Sequence, residues 1–461
     1  MSRMLRRFMI LLAAAWLPAI CGCNIPKEQL IAFNKYYEAS DFNSALIFAE
    51  TKIKKGKNPS GEDLLWALQA ASIKRDLQDY NASTQFFDNA ENHLKYYDTR
   101  SSIGDEISAV AVNDNIMPYK GAEYDGVMTN TYKALNFLCE KKSDLARVEF
   151  NRAIDRLRRT KEKFENEISK QKENINKATY SNLAQKSIDS NNFQKALCQN
   201  YPQLNEYQPY KDYINPFVTY VASIYFNSVG EPAIARDLLK ETHGLVPANK
   251  YVEEEFKKTD ELLSQQDVLK NSVWVIYENG LGPVKDEFRI DLPLFIATSR
   301  VLYAGIALPK LTNRDIAFSC LQINADANMY ETAVVCDMEK IIQSEFKKDF
   351  EIILIRTIIS ATAKAVAQYA VSQQDSTAAT VGTIMIAAYS FVTTAADVRI
   401  WTALPKEFQI AQFDIPQNKT ITITPFNGQP FDIELPDSEK TIIYIKIINK
   451  NTKPIYNVIP L

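Results

Sequence analysis

The chain is poor in the residues that usually mark catalysis, metal binding and breaks in regular structure. Its 461 residues include two histidines, His93 and His243, too far apart in sequence to suggest a clustered imidazole base or a histidine-rich metal site. Glycine (13) and proline (19) are sparse, which excludes collagen-like and low-complexity classes. Neither sign of charge dominates: 53 Lys plus Arg stand against 56 Asp plus Glu, a net charge of −3. Nucleic-acid binding needs a basic face that neutralises several phosphates, so no nucleic acid is expected as a partner. Gly-x-Ser-x-Gly, the phosphate-cradling Gly-x4-Gly-Lys-Ser, His-Glu-x-x-His and Cys-x-x-Cys are all missing. Ser360 and Lys364 stand four apart, as a Ser-Lys dyad might, but lysine at that spacing is ordinary on a helix surface. The sequence therefore offers no catalytic residue, metal ligand or cofactor site. What it has in quantity is apolar matter, 46% hydrophobic and 11% aromatic residues, enough to bury several domains' worth of core.

The first residues read as an address. Arg3, Arg6 and Arg7 precede an uncharged, mostly apolar run from Phe8 to Ile20, too short to span a bilayer, which needs about 20 such residues. This is the pattern of a secretory signal peptide, residues 1–22. Ile20-Cys21-Gly22-Cys23-Asn24 follows and resembles the lipobox of bacterial lipoproteins. Cys23 fits as the lipidated residue, because Cys21 has Ile20 immediately before it instead of a small residue. The resemblance implies acylation of Cys23 and, with Asn24 second in the mature chain, a lipid anchor in the outer membrane facing the periplasm. Export places the remaining cysteines where disulfides are permitted. Cys320 and Cys336 flank a turn-rich segment and could pair; the alternative is two small buried hydrophobes.

Residues 23–268 show helical periodicity. The spacing small-x3-large-x2-small, which lets one helix approach another while the large residue fills the groove, occurs at Ala146, Phe150 and Ala153. It recurs at Ser83, Phe87 and Ala90 after Asp79-Tyr80, and at Ala235, Leu239 and Thr242 after Gly230-Glu231, with a weaker copy around Asp41 to Ala45. The copies are unevenly spaced, so the expectation is an irregular tetratricopeptide-like helical solenoid, with a generic α-helical bundle as the alternative. Phe150, Ile154, Leu157, Phe164, Ile168 and Ile175 keep heptad spacing and predict one long helix. Peptide-binding repeats work through the first helix of each pair, which makes Asn130, Lys133, Asn136 and Phe137 candidate partner-binding residues, with local packing the favoured role of Phe137.

Residues 269–461 read as a mixed α/β region, giving an α+β chain overall: strands within 272–336, a long helical hairpin within 337–397, and antiparallel strands within 408–459. Val273-Trp274-Val275-Ile276, a Gly280-Leu281-Gly282-Pro283 turn and a strand from Phe288 predict a hairpin. The second long helix, Ser376 to Asp397, carries no charge between its ends. It is rich in Ser, Thr and Ala, so a buried helix is favoured over a membrane span. Asp397, Arg399 and Trp401 stand where helix gives way to strand and could fix one domain against another.

Asn113-Asp114-Asn115 with Pro118-Tyr119, Tyr132 to Leu138, Ala146 to Ala153, Gly282-Pro283-Val284-Lys285, Ala307-Leu308-Pro309, Ala396 to Trp401 and Leu404-Pro405 together resemble a family of uncharacterised bacterial lipoproteins with tetratricopeptide-like helices and an α/β C-terminal region. Its members are often encoded beside lipoprotein activators of penicillin-binding proteins. The resemblance implies work in the cell envelope, with cell-wall synthesis as the linked process; the absence of any nucleophile, metal or phosphate motif beside the repeat helices makes a non-enzymatic scaffold that binds envelope proteins the expected function. Two other classes stay open: an envelope enzyme with an unrecognised C-terminal site, and a translocation element built on 376–397.

Overall fold

A computed structural model describes residues 27–53, 61–99, 118–177, 181–207, 210, 214–265, 271–295, 301–372 and 395–461. The leader, Cys23 and the apolar stretch 376–394 lie outside these residues. The expected second long helix is thus outside them up to 394; from 395 the chain is not helical.

Among the described residues eleven α-helices come first: α1 (Lys27–Glu38), α2 (Phe42–Glu50), α3 (Gly61–Asp76), α4 (Tyr80–Thr99), α5 (Glu123–Cys139), α6 (Ser143–Lys177), α7 (Ser181–Ile188), α8 (Asn191–Asn200), α9 (Pro216–Ser228), α10 (Pro232–Leu245) and α11 (Lys250–Gln265). Four of them end in one way. After α1, α3, α5 and α9 a residue takes a left-handed backbone: Ser40, Gln78, Lys141 and Gly230. The amide that follows each bonds back to the carbonyl five residues earlier, Asp41 to Tyr36, Asp79 to Lys74, Lys142 to Phe137 and Glu231 to Phe226. This closure satisfies carbonyls that a helix end leaves open and turns the chain sharply into the next helix. The second helix of each pair then presents its small and large positions inward. Ser83, Phe87 and Ala90, then Ala146, Phe150 and Ala153, and Ala235, Leu239 and Thr242 are fully buried.

The strands are β1 (Ser272–Asn279), β2 (Val284–Phe295), β3 (Val301–Thr312), β4 (Leu321–Ala325), β5 (Asn328–Glu331), β6 (Ala333–Asp337), β7 (Glu407–Asp414), β8 (Thr420–Pro425), β9 (Phe431–Glu434), β10 (Lys440–Ile447) and β11 (Ile455–Pro460), with α12 (Met338–Ser372) between β6 and β7. They form a central sheet of order β11-β10-β1-β7-β6, an outer sheet of order β5-β4-β8-β9, and the two-stranded ribbon β2-β3. Within the central sheet β1 and β10 run parallel; its other pairs are antiparallel.

Side chains alternate across a strand, so the register assigns the two faces. Trp274, Ile276 and Glu278 share a face with Phe408 of β7 and with Tyr444 and Lys446 of β10. That face carries the helices: Phe408 stacks on Phe217 of α9 at 3.7 Å, Trp274 Nε1 donates to Glu255 of α11, and Lys446 reaches Asp76 of α3. The opposite face carries the outer sheet, where Tyr330 stacks on Phe413 and Phe431 on Tyr456. The result is three layers, helices, central sheet and outer sheet, whose buried apolar residues run as one core from Leu30 to Ile459. The strands thus begin at Ser272 without a break in the core.

Two expectations are corrected. The turn at 280–283 does not close a hairpin: β1 pairs with β10 and β7, and β2 pairs with β3. Gly280, at φ +64°, sends the chain away past Asp315, whose carbonyl oxygen would lie 2.7 Å from any Cβ there. Nor do Cys320 and Cys336 pair. Both are free; Cys336 is fully buried and donates from Sγ to Asn215 Oδ1 at 3.3 Å.

Candidate functional site

The residues singled out by the sequence meet where the segment 395–406 passes between the helices and the sheets. Asp397 and Arg399 form a two-pronged ion pair, Nε to Oδ1 and Nη2 to Oδ2 both at 2.7 Å, and the guanidinium lies 5.7 Å from the Tyr119 ring centre. Burial alone would raise the Asp397 carboxyl, but Arg399 outweighs it and holds the carboxyl below its usual range. Trp401 is 1% exposed, donates from Nε1 to Ser72 Oγ of α3 at 2.9 Å, and packs edge-on against Phe87 of α4 and Tyr132 of α5. Thr402 bridges Gln69 of α3 and Asn34 of α1.

Arg314, from the loop between β3 and β4, ties the same region to α1. It donates to the Gly282 carbonyl at 2.6 Å, pairs with Glu38 at 2.9 Å and bonds the Thr402 carbonyl. Gly282 N–H in turn donates to the Leu404 carbonyl at 2.8 Å, so Gly282 and Leu404-Pro405, distant in sequence, touch.

A second cluster joins α1 and α3 to the middle of the central sheet. Lys446 lies 3.0 Å from Asp76 and 3.3 Å from Glu278 and donates to the Tyr37 hydroxyl at 2.8 Å; Tyr37 donates to Asp76 at 2.5 Å, and Tyr444 donates to Glu278. Arg75 donates to Asn136 at 2.6 Å with its guanidinium against the rings of Tyr444 and Tyr132. Burial works against the Lys446 ammonium, yet Asp76 and Tyr37 raise it well above the ordinary lysine value, so it stays charged. The sequence carried a signal for this cluster that composition did not bring out. Glu278 and Lys446 are lone charges in runs that are otherwise apolar, and such charges in central strands must find each other or a partner.

The candidate partner-binding residues of α5 are not on a free surface. Asn130 and Asn136 are fully buried, Lys133 is 2% exposed and Phe137 packs partly buried against the core. Lys133 lies within 3.0 Å of Asp88, Glu91 and Glu149; Asn130 donates to Glu149 and accepts from Arg156; Asn136 donates to Ser83 and Thr84. The reason is that α5 lies between α4, α6 and the central sheet and is buried on every side. Its polar side chains answer one another across the helices, since buried polar groups need partners. Burial raises Glu91, but Lys133 outweighs it and brings the carboxyl down to about 2.

At the α5 start the balance tips the other way. Asp125 accepts from Tyr119 OH at 2.6 Å and from the Ala122 amide at 2.9 Å, yet burial pushes it up to about 6. Glu345 of α12 accepts from the Glu123 amide at 2.7 Å and is raised well above its ordinary value by burial, with Asp349 next in effect. By accepting from an amide that the helix start leaves open, Glu345 fixes α12 to α5.

Two cavities of about 20 Å³ adjoin these clusters. One is lined by Tyr124, Val127, Leu157, Thr160, Asn215, Ile341 and Glu345. The other lies among Arg75, Asp76, Cys139, Glu278, Tyr444 and Lys446. Each has room for about one water molecule. Among the described residues no three His, Cys, Asp or Glu side chains gather to hold a metal ion, and no helix is long and apolar enough to cross a membrane. The chemistry of the region is thus that of mutual neutralisation: cations, carboxylates and phenols fasten the helices to the sheet. Compared with known proteins, the chain matches no family model, no curated protein and no solved structure.

Proposed function

We propose that the chain is an envelope lipoprotein, held by acylated Cys23 at the outer membrane, that works as a non-enzymatic scaffold for another envelope protein, with cell-wall synthesis as the setting the family resemblance suggests. Four helix pairs closed by the same left-handed turn, three of which bury their small-large-small positions, support a tetratricopeptide-like arrangement with irregular spacing.

The observation that carries the reading is an apolar surface where two pairs turn. Leu145 and Val148 on α6, and Val229 and Ile234 around the α9–α10 turn, are 46%, 43%, 39% and 41% exposed. They flank, in sequence, an ion pair between Arg147 and Glu231 at 2.6 Å that holds the two turns together, beside a bond from Tyr225 OH to the Ser143 carbonyl. Clustered large hydrophobics rimmed by paired charges are what a protein partner covers. A photocrosslinking residue at Val148 or Ile234, in cells, should capture one partner, whereas the same residue at Met329 of the outer sheet, 63% exposed, should not. Equal capture of unrelated proteins at all three positions would contradict the reading.

A further inference from the structure

The first helix pair leaves a second apolar face open, and it lies close in the chain to the proposed anchor. Phe33, Tyr37, Ala45 and Ala49 are fully buried on the inner side of α1 and α2, while Ile47 is 64% and Tyr36 39% exposed on the outer side. The Tyr36 ring lies 6.4 Å from that of Phe48, itself half-buried against Trp66, and Lys52 Nζ sits 5.0 Å over the Phe48 ring, so Tyr36 and Lys52 rim Phe48 with Ile47 exposed on the same helix. Because α2 folds back along α1, Phe48 and Lys52 return toward the end at which α1 begins. Cys23 precedes Lys27 by four residues, a reach of at most about 14 Å even fully extended.

We propose that this patch seats in the headgroup boundary of the same phospholipid bilayer that takes the acyl chains of Cys23, so that the protein is held at two points and in one orientation. The inference rests on the lipidation proposed above. The chemistry fits a bilayer surface: tyrosine is apolar along its ring and polar at its tip, isoleucine supplies insertion, and the Lys52 ammonium at the rim of the Phe48 ring can meet phosphate. Glu50 is exposed on the same helix, so the apolar side chains and not net charge carry the insertion.

The test uses the full acylated protein in vesicles of phosphatidylcholine and phosphatidylglycerol with brominated acyl chains, which quench indoles that enter the bilayer. The native Trp66, Trp274 and Trp401 are at most 1% exposed and out of the quencher's reach, so the difference from the unsubstituted protein reports the new surface indole. The fluorescence that Ile47→Trp adds over the unsubstituted protein should fall about twofold on vesicle binding, and that added by Met329→Trp, on the outer sheet, by less than about a tenth. A protein that carries its fatty acids but shows no more quenching in Ile47→Trp than in Met329→Trp overturns the proposal and leaves the anchor standing. Absence of fatty-acid labelling overturns the anchor and this inference with it.

Discussion

Strands β10 and β8 look alike in sequence, each a short run rich in Ile and Thr, yet they stand in different worlds. All eight residues of β10 are buried, whereas β8 alternates buried and half-buried positions. The central sheet is covered on both faces and the outer sheet on one. Charge follows the same division. Lys446 and Glu278 in the central sheet are 7% and 2% exposed and bound to three other groups, while Thr422 of the outer sheet makes its bond to Asp432 in solvent. The lesson is that polar residues in the central sheet bind the layers together, and those in the outer sheet only dress a surface.

The sharpest break in that comparison is Lys446→Met. It leaves Asp76 and Glu278 without their cation in the core and should cost about 3–5 kcal/mol in denaturant unfolding. A loss below about 1 kcal/mol would mean that water already reaches the cluster. In the helical layer, Phe150→Ala empties a fully buried groove beside Tyr225, at 5.2 Å between rings, and should cost about 3–4 kcal/mol. A loss under about 1 kcal/mol would place Phe150 outside the core.

Next in size is a pH effect. Asp125 has a carboxyl pushed up to about 6 from an ordinary 3.8, so the folded chain takes up this proton more readily than the unfolded one. Its contribution favours folding in full below about pH 4 and is lost as pH rises through about 6. Asp125→Asn, which keeps an acceptor for Tyr119, should remove roughly 2 kcal/mol of decline in stability between pH 4 and 6, read from denaturation midpoints across that range. Glu91 has the opposite sign: lowered to about 2, it supports folding above its unfolded value and loses that support as pH falls toward 2. The smallest effect belongs to the outer sheet, where Thr422→Ala should change stability by no more than about 0.5 kcal/mol in the same denaturation assay. A loss comparable to that of Phe150→Ala would erase the distinction between the two sheets.

Much of the architecture is legible in local pattern. Apolar alternation marks the strands, Gly230 announces a helix end, and the small-large-small spacing locates the buried faces of α4, α6 and α10. Three things are not local. The pairing of β1 with β10 joins the beginning and the end of the C-terminal region, and no turn encodes it. The left-handed closures at Ser40, Gln78 and Lys141 use residues that seldom adopt that conformation, so their sequence gives no sign. The polar residues of α5 suggest a wet face because Asn130, Lys133 and Asn136 follow helical spacing. Yet Val127, Met128, Tyr132, Leu135 and Leu138 place apolar side chains around the rest of the same helix, and a helix apolar on several sides is a buried one. Of the candidate site, Asp397, Arg399 and Trp401 were visible as a junction. Their partners Tyr119, Ser72 and Phe87 come from distant segments that only the fold brings near.

The account's central claim is that the 395–406 segment fastens the helices to the sheets as one cooperative body, and hydrogen exchange of the amides of α5 (Val127 to Leu138) and β1 (Val273 to Tyr277) in Trp401→Ala tests it most directly. Removing that side chain from between α3, α4 and α5 should lower protection of both segments together, by about a hundredfold for a loss near 3 kcal/mol. Helices that open while β1 keeps its native protection would contradict it.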